Sequence, residues 1–394
     1  MEDTTYQVLI TAAGRSRRMH QYKPLLPLGE KKILEHTISR FLESGITNIT
    51  VVTGHNQEAL LPLLESTQVQ QVFNPFYATE DMFCSIRTGV AHICKNETPK
   101  GLFICPGDIP LIHPLTIRRM IRKMEETEKR QEDAGFAILP FEGGHSGHPP
   151  LLSGALLQDI LTYSGTSGLG GLLRSRNCIS LETADPYIHM DADTPEDYKK
   201  LLDAYETWDI PSYKACKELF SYAQTPQNVI AHGEKVAQVA LRAAEAICKK
   251  DPSLRKTGFL ELVQASGLLH DLLRTSPCHA AAGARFLTSC GYKRVALPVA
   301  AHKNLLKGKL LEEAASLDGS VHTKTWEDLT AAFLLYLADR QVNHTEKASY
   351  EEKYKRKKEE FQGNPEALQA LEWDKSRYFA CKKFLKAWTG CDVF

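Results

Sequence analysis

Four basic residues follow a glycine near the start of the chain, where an apolar segment ends. Residues 8–13 have the composition of a buried strand, and Gly14 follows them directly. Small residues let backbone amides approach an anion closely, and nearby cations suit the charge of a triphosphate. The pattern is neither a P-loop nor a dinucleotide GxGxxG, and a basic turn is the alternative interpretation. The four cations are Arg15, Arg17, Arg18 and Lys23.

Three aspartates lie next to predicted strand or helix ends, where a carboxylate can bind a metal ion or cap a turn. Asp108 follows the apolar segment 102–105 and is flanked by prolines at 106 and 110. A carboxylate held at a strand end is a hard oxygen ligand, which suits Mg²⁺ shared with phosphates; a turn cap is the alternative. Asp191 and Asp193 precede a helix start at Thr194. Helix N-terminal chemistry explains the acids within that helix, but it does not explain these two.

Several histidines and aspartates of the C-terminal half lie on apolar segments with a helical period. Each of these residues by itself is more often a packed or capping residue than a ligand. The set comprises His232, His270, Asp271, His279, His302 and Asp339.

The elements that must position these side chains differ between the two halves. Up to about residue 202, short apolar strands alternate with helical patterns, which predicts an α/β fold with a largely parallel sheet. Ligands of such sheets lie beyond the carboxyl ends of strands, where the opening loop and Asp108 fall. Residues 203–226 show no clear period, and helical patterns follow. We therefore expect two domains, 1–205 and 206–394.

Composition excludes several classes of protein. The chain has 394 residues, 43% of them hydrophobic, which is enough for two packed cores. Lys plus Arg equals Asp plus Glu at 48 each, so no net field favours nucleic acid or an anionic membrane. The ten cysteines form no CxxC pair. Without a signal-peptide pattern or a span-length apolar run, we expect a cytoplasmic protein with no membrane or nucleic-acid partner.

The N-terminal motifs resemble those of the nucleotidyltransferases that activate molybdenum cofactors, a family with sugar-nucleotide and isoprenoid-pathway relatives. The resemblance covers about residues 6–202. It implies a Rossmann-like domain that transfers a nucleotidyl group. The motifs occur in the family's order: Ala12-Ala13-Gly14, Arg18-Met19, Lys23 before Leu25-Leu26-Pro27, Gly107-Asp108, Gly147-His148-Pro149, the glycine-rich segment 165–173 and the segment containing Asp191 and Asp193.

This resemblance also implies residue roles. Asp108 would hold Mg²⁺ together with Asp191 or Asp193, with Asp191 preferred, and Arg18, Lys23 and Asp108 would be catalytic. The nucleotide-binding residues would be Ala12, Ala13, Gly14, Arg15, Arg18, Lys23, Ser85 and Asp108.

The start of the loop is closer to the cytidylyl branch of the family than to the guanylyl branch, which usually has two glycines there. The expected reaction is transfer of CMP from CTP to a phosphorylated acceptor such as molybdopterin, with release of pyrophosphate. A molybdoenzyme maturation partner is a further expectation. A phosphosugar or alcohol phosphate is the alternative acceptor, because the loop is shared among these families.

The C-terminal set resembles the ligands of HD-domain metal-dependent phosphohydrolases, which have an all-α fold. The resemblance implies that His232, His270, Asp271 and Asp339 bind a first divalent transition metal such as Fe or Mn. His279 and His302 would belong to a second ion, and Asp271 would be catalytic. The usual Ile-Gly after His-Asp is Leu272-Leu273 here, and Arg274 represents the basic residue that often follows. The alternative is that one half is a non-catalytic regulatory module.

Overall fold

The computed structural model describes residues 5–95, 97–129, 135–303, 326–343 and 346–394. The chain forms two compact units, Met1–Tyr205 and Glu206–Phe394. All ten cysteines are free thiols.

The first unit alternates strands and helices along the chain. Its strands are β1 (Tyr6–Ala12), β2 (Pro27–Leu28), β3 (Lys31–Lys32), β4 (Ile49–Thr53), β5 (Gln70–Phe73), β6 (Gly101–Pro106), β7 (Phe136–Glu142), β8 (His145–Ser146), β9 (Leu151–Ser153) and β10 (Asn177–Glu182). Its helices are α1 (Ile33–Glu43), α2 (Gln57–Thr67), α3 (Met82–Ile93), α4 (Pro114–Glu128), α5 (Leu157–Thr162), α6 (Gly168–Arg174) and α7 (Pro195–Tyr205).

The main sheet has the strand order β10-β7-β9-β6-β1-β4-β5, and β8 pairs with β7. Strand β1 is parallel to both β4 and β6, β4 is parallel to β5, and β7 is parallel to β10. The pairs β6–β9, β7–β9 and β7–β8 are antiparallel. The predicted largely parallel sheet is therefore confirmed.

Both faces of this sheet are covered. Val8 and Ile10 of β1 pack in one apolar cluster, whereas Leu9 between them packs in another. Side chains alternate across a strand, so a strand buried on both faces has a continuous apolar sequence. Gly89 of α3 lies against Leu9, where a Cβ would come within 2.2 Å of a Leu9 methyl carbon.

The second unit is mainly helical. Its helices are α8 (Tyr213–Ala223), α9 (Gln227–Lys250), α10 (Phe259–Leu269), α11 (His279–Ser289), α12 (Lys293–Ala301), α13 (Trp326–Arg340), α14 (Tyr350–Glu360) and α15 (Pro365–Thr389). The predicted helical character of the C-terminal half is confirmed; in addition, β11 (Val342–Asn343) and β12 (Glu346–Lys347) pair in antiparallel fashion. Every helix among the described residues is too short or too polar to cross a bilayer.

Two glycines let α9 and α10 pack closely. A Cβ on Gly233 would lie 2.4 Å from the carbonyl oxygen of Leu268, and one on Gly267 would lie 2.5 Å from the Cα of Ala237. These would be contacts with backbone atoms, which cannot move aside as flexible side chains do. The approach brings His232, the neighbour of Gly233, close to His270, which follows α10.

Candidate functional site

The opening loop and Asp108 meet at one edge of the sheet. Strands β1 and β6 are parallel neighbours in which Thr11 is paired with Pro106. The amide of Gly107 donates a hydrogen bond of 3.0 Å to the carbonyl of Thr11. Because both strands end at this edge, Thr11 and Gly107 are in contact although they are 96 positions apart in the sequence.

Lys23 lies between two of the predicted aspartates. Its Nζ is 3.2 Å from Oδ2 of Asp108, and it also contacts Oδ1 of Asp193. Only 12% of the Lys23 side chain is exposed. Arg18 donates a 2.6 Å hydrogen bond to the other carboxylate oxygen of Asp193. The backbone amide of Lys23 donates to Oγ of Ser16 at 3.2 Å, which fixes the loop after β1 against Lys23.

The two aspartates ahead of α7 have different surroundings. Burial opposes ionisation of Asp193, but Lys23 and Arg18 outweigh it and hold the pKa of this carboxyl below its usual range. Burial, together with the charges of Asp108 and Asp193, raises the pKa of Asp191. Asp191 accepts a hydrogen bond of 3.2 Å from the amide of Asp193. Asp193 lines the pocket that contains Asp108, and Asp191 is not among the residues of that wall.

This pocket encloses about 270 Å³ and contains most of the predicted nucleotide-binding residues. Ser85 is buried there, and its hydroxyl accepts a hydrogen bond of 2.9 Å from the side-chain Nδ2 of Asn74. Arg15 is placed differently, with its guanidinium 5.8 Å from the centre of the Tyr77 ring. The predicted residues in the wall are Ala12, Ala13, Gly14, Lys23, Ser85 and Asp108.

Sequence patterns did not indicate several other residues of the wall. Tyr77 and Glu80 line it from a segment between β5 and α3 that has no helical or strand period. Asp81 is the N-cap of α3 and accepts from the amide of Cys84 at 3.2 Å. An aspartate immediately before an apolar helical stretch is an N-cap signal, which could have placed Asp81 at this edge.

A larger pocket of about 860 Å³ adjoins the first, and Thr11, Asp81, Met82 and Pro106 belong to both. Its wall combines apolar residues with Arg174, Arg176 and the Gly147-His148 loop. Burial lowers the pKa of His148, and the charge of Asp108 acts against that shift. Two pockets with a common wall can hold two substrates whose reactive groups meet there.

The six predicted ligands of the second unit come together as two triads. The potential ligand atoms of each triad all lie within 4.8 Å of one another. Rings from the two triads are in contact, since the centroids of His270 and His302 are 5.2 Å apart. The first triad is His232, His270 and Asp339, and the second is Asp271, His279 and His302.

Two buried histidines have the tautomer that a metal ligand requires. Nδ1 of His270 donates to the carbonyl of Gly267 at 2.8 Å, and Nδ1 of His302 donates to that of Val299 at 2.6 Å. A carbonyl can only accept, so the proton is on Nδ1 and the lone pair is on Nε2. Both Nε2 atoms are buried without a hydrogen-bond partner among the described residues. Buried polar atoms rarely remain unpaired, and backbone carbonyls commonly orient metal-binding histidines in this way.

The carboxylate of Asp271 lies between the triads. Its Oδ1 is 3.1 Å from Nε2 of His279 and 3.5 Å from that of His302, whereas Oδ2 is 3.6 Å from that of His270. Arg274 adds a cation 3.5 Å from Oδ1.

Two of these histidines are neutral at physiological pH. Burial lowers the pKa of both His270 and His279 to about 4. A neutral imidazole has a free lone pair, and the oxygen and nitrogen donors of both triads suit divalent transition metals. The residues present therefore fit one or two such ions.

Comparison with known proteins assigns a family to part of the first unit. Residues 8–181 match the model of the family described as MobA-like NTP transferase domain. The chain is 28% identical over 198 residues to the molybdenum cofactor cytidylyltransferase of Escherichia coli K12, a match covering 50% of this chain and 95% of that protein. The first unit thus contains a MobA-like NTP transferase domain.

Two further similarities are more distant. The bifunctional protein GlmU of Bacillus mycoides is 28% identical over 152 residues, covering 35% of this chain and 31% of that protein. A solved nucleotidyl transferase structure from Methanothermobacter thermautotroptrophicus covers 51% of this chain and 97% of that one. Its TM-score is 0.44 at 23% identity.

Proposed function

We propose that the first unit transfers CMP from CTP to a phosphorylated acceptor such as molybdopterin, releasing pyrophosphate. The observation that supports this most is the group formed by Lys23, Asp108 and Asp193 in a pocket with a small-residue loop. The similarity to a molybdenum cofactor cytidylyltransferase supports the choice of nucleotide and acceptor.

The charged residues have distinct roles in this proposal. Lys23 and Arg18 offset the negative charge of the triphosphate, and the loop amides bind its oxygens. Asp108 and Asp193 are the carboxylates that would hold Mg²⁺, since both line the pocket. Bound there, Mg²⁺ would neutralise charge on the triphosphate and the departing pyrophosphate. An acceptor phosphate oxygen attacks the α-phosphorus in line and breaks its bond to the bridging oxygen of pyrophosphate.

The larger pocket is the proposed acceptor site. It shares a wall with the nucleotide pocket and has two arginines, Arg174 and Arg176, among mainly apolar residues. Such a wall suits a molecule with a bulky ring system and an anionic group. The alternative acceptor is a phosphosugar or alcohol phosphate, and profiling pyrophosphate release with each acceptor distinguishes the two.

CTP should be the preferred nucleotide. In competition at equal concentrations, we expect kcat/KM for CTP to exceed that for GTP by at least about tenfold, the discrimination available from about 1.4 kcal/mol. Pyrophosphate release with a competent acceptor measures this. Preference for GTP, UTP or dTTP would contradict the assignment and favour another branch of these transferases.

Replacing Gly14 with alanine should weaken CTP binding without destabilising the protein. A Cβ on Gly14 would meet no described atom within 4 Å, and its φ is not positive. The fold therefore does not require glycine there, whereas an anion close to the backbone does. We expect about tenfold weaker CTP binding by calorimetry and a change in unfolding free energy below about 0.5 kcal/mol.

Gly45→Ala is the matched control. Gly45 has a φ of +92° and open space around it, so alanine there strains the backbone away from the pocket. This variant should lose stability and retain CTP affinity. Unchanged CTP affinity in Gly14→Ala would argue against close contact between the loop and phosphate.

A second activity is favoured by the two triads. We propose that the second unit is a metal-dependent phosphohydrolase in which Asp271, between the triads, is a ligand of both ions. The unpartnered Nε2 atoms of His270 and His302 support this assignment. His232, His270 and Asp339 would hold one ion and Asp271, His279 and His302 the other, and an ion held there would supply an activated water for attack on a phosphate ester. Metal content and phosphate release from a panel of phosphate esters, in wild type and Asp271→Ala, test it.

A further inference from the structure

One arginine outside the triads contacts residues of both. Arg340 ends α13 and directly follows the ligand Asp339, with its NH1 3.8 Å from Oδ2 of that carboxylate. The same NH1 donates a hydrogen bond of 3.3 Å to the backbone carbonyl of His302, a ligand of the other triad. His302 follows α12, so a single guanidinium joins the ends of two helices that supply ligands to different triads.

The guanidinium is held in place from the C-terminal helix. Arg340 donates from Nε to both carboxylate oxygens of Asp374 at 3.1 and 3.2 Å, and from NH2 to one of them at 2.8 Å. The hydroxyl of Tyr336 donates to the same carboxylate at 3.0 Å, and the Arg340 guanidinium lies 3.5 Å from the centre of its ring. Only 11% of the Arg340 side chain is exposed, so this geometry is protected from water.

A second cation, Lys353, contacts the C-terminal end of α13, the helix that contains Asp339. Lys353 of α14 donates to the carbonyls of Asp339 and Val342 at 2.9 and 2.7 Å. The backbone at Asp339 is thus fixed by one side chain, and its distance from His302 is fixed by another. Contacts behind the ligands of this kind typically change metal affinity by about 10- to 100-fold when they are lost.

We infer that Arg340, oriented by Asp374 of α15, is the positioning residue that sets the spacing between the two triads. This inference rests on the proposed metal centre. Loss of the Asp374 carboxylate frees the guanidinium, and the ends of α12 and α13 then move independently. Both triads should lose affinity together, because His302 belongs to one and Asp339 to the other.

The test is metal binding by the full-length protein rather than turnover. Metal-free wild type and Asp374→Asn are titrated with Co²⁺, and its visible absorption spectrum reports the coordination of the ion. We expect the variant to bind at least about tenfold more weakly at both sites, with an altered spectrum. Asp374→Glu, which keeps the charge, should recover part of the affinity.

Glu372→Gln is the matched control, because this carboxylate lies on the same helix with 55% of its side chain exposed. It should bind Co²⁺ as wild type does. Equal affinity of Asp374→Asn and wild type, or loss at one triad only, would overturn the inference. Absence of Co²⁺ binding by wild type would instead reject the metal centre itself.

Thermal unfolding of the metal-free proteins separates positioning from folding. If Asp374→Asn does not fold, Co²⁺ binding by Tyr336→Phe tests the positioning role instead. This variant removes one hydrogen bond to Asp374 and keeps the aromatic ring. We expect about fivefold weaker Co²⁺ binding from a bond worth about 1 kcal/mol. Wild-type affinity in that folded variant would reject the positioning role.

Discussion

Asp108→Ala should abolish nucleotidyl transfer while leaving the protein folded. The carboxylate follows the central strand β6 at the edge where the loop after β1 also begins, and it lies 3.2 Å from Lys23. Without it, the proposed Mg²⁺ site loses a ligand, and Lys23 retains only its ion pair with Asp193. We expect the rate of Mg²⁺-dependent pyrophosphate release to fall about a thousandfold, equivalent to about 4 kcal/mol of transition-state stabilisation.

Two further variants test whether the loss of transfer is caused by removing the negative charge of Asp108. Asp108→Asn keeps the volume and removes the charge, so it should be nearly as inactive as the alanine variant. Glu128→Gln removes a carboxylate from the ion pair with Lys100, which is not part of the pocket, and should retain activity. Full activity in Asp108→Ala would mean that the aspartate only caps a turn, and the assignment of this site would fail.

Asp271→Ala should lower the transition-metal content of the purified protein more than any other single ligand change. Its two oxygens face imidazoles of both triads, at 3.1 Å from His279 and 3.6 Å from His270. The variant retains three-residue coordination at the first triad and only two imidazoles at the second. We expect metal content to fall at least about tenfold by elemental analysis, because binding requires converging ligands.

Transfer activity should survive in this variant, since the proposed Mg²⁺ ligands Asp108 and Asp193 belong to the first unit. Asp328→Asn is the control for destabilisation alone, because it weakens a buried ion pair of 2.8 Å with Arg294 in the same unit. Replacing His279 or His302 should affect only the second triad. Equal metal content in wild type and Asp271→Ala would mean that the His-Asp pair has a structural role.

Much of the first unit could be predicted from local patterns. The continuous apolar segments before Gly14 and Gly107 predicted strands, and the structure shows that β1 and β6 are strands buried on both faces. Alternation with helices predicted a parallel sheet, and its carboxyl edge predicted where ligands lie. The family match over residues 8–181 confirms the resemblance of this unit. Local patterns did not predict the small β2–β3 pair, in which Lys31 and Lys32 form a strand directly before α1 begins at Ile33.

The choice between Asp191 and Asp193 needed the tertiary structure. The two are separated by one residue, and the motif contains both. Only the position of Lys23, brought from the loop after β1, shows that Asp193 faces the pocket. The roles of both remain predictions for the variants to test. Arg15 is a similar case, because its place beside Tyr77 depends on a segment without a sequence pattern.

In the second unit, the sequence by itself determined the helical character and the types of the six possible ligands. It could not determine how they are grouped. The resemblance placed Asp271 with the first metal, whereas its carboxylate lies between the triads. Periodicity identifies the buried face of a helix, but the crossing of α9 and α10 depends on contacts such as Gly233 against Leu268. Only the packed structure therefore decided that ligands from residues 232 to 339 meet at one place, with Asp374 behind them.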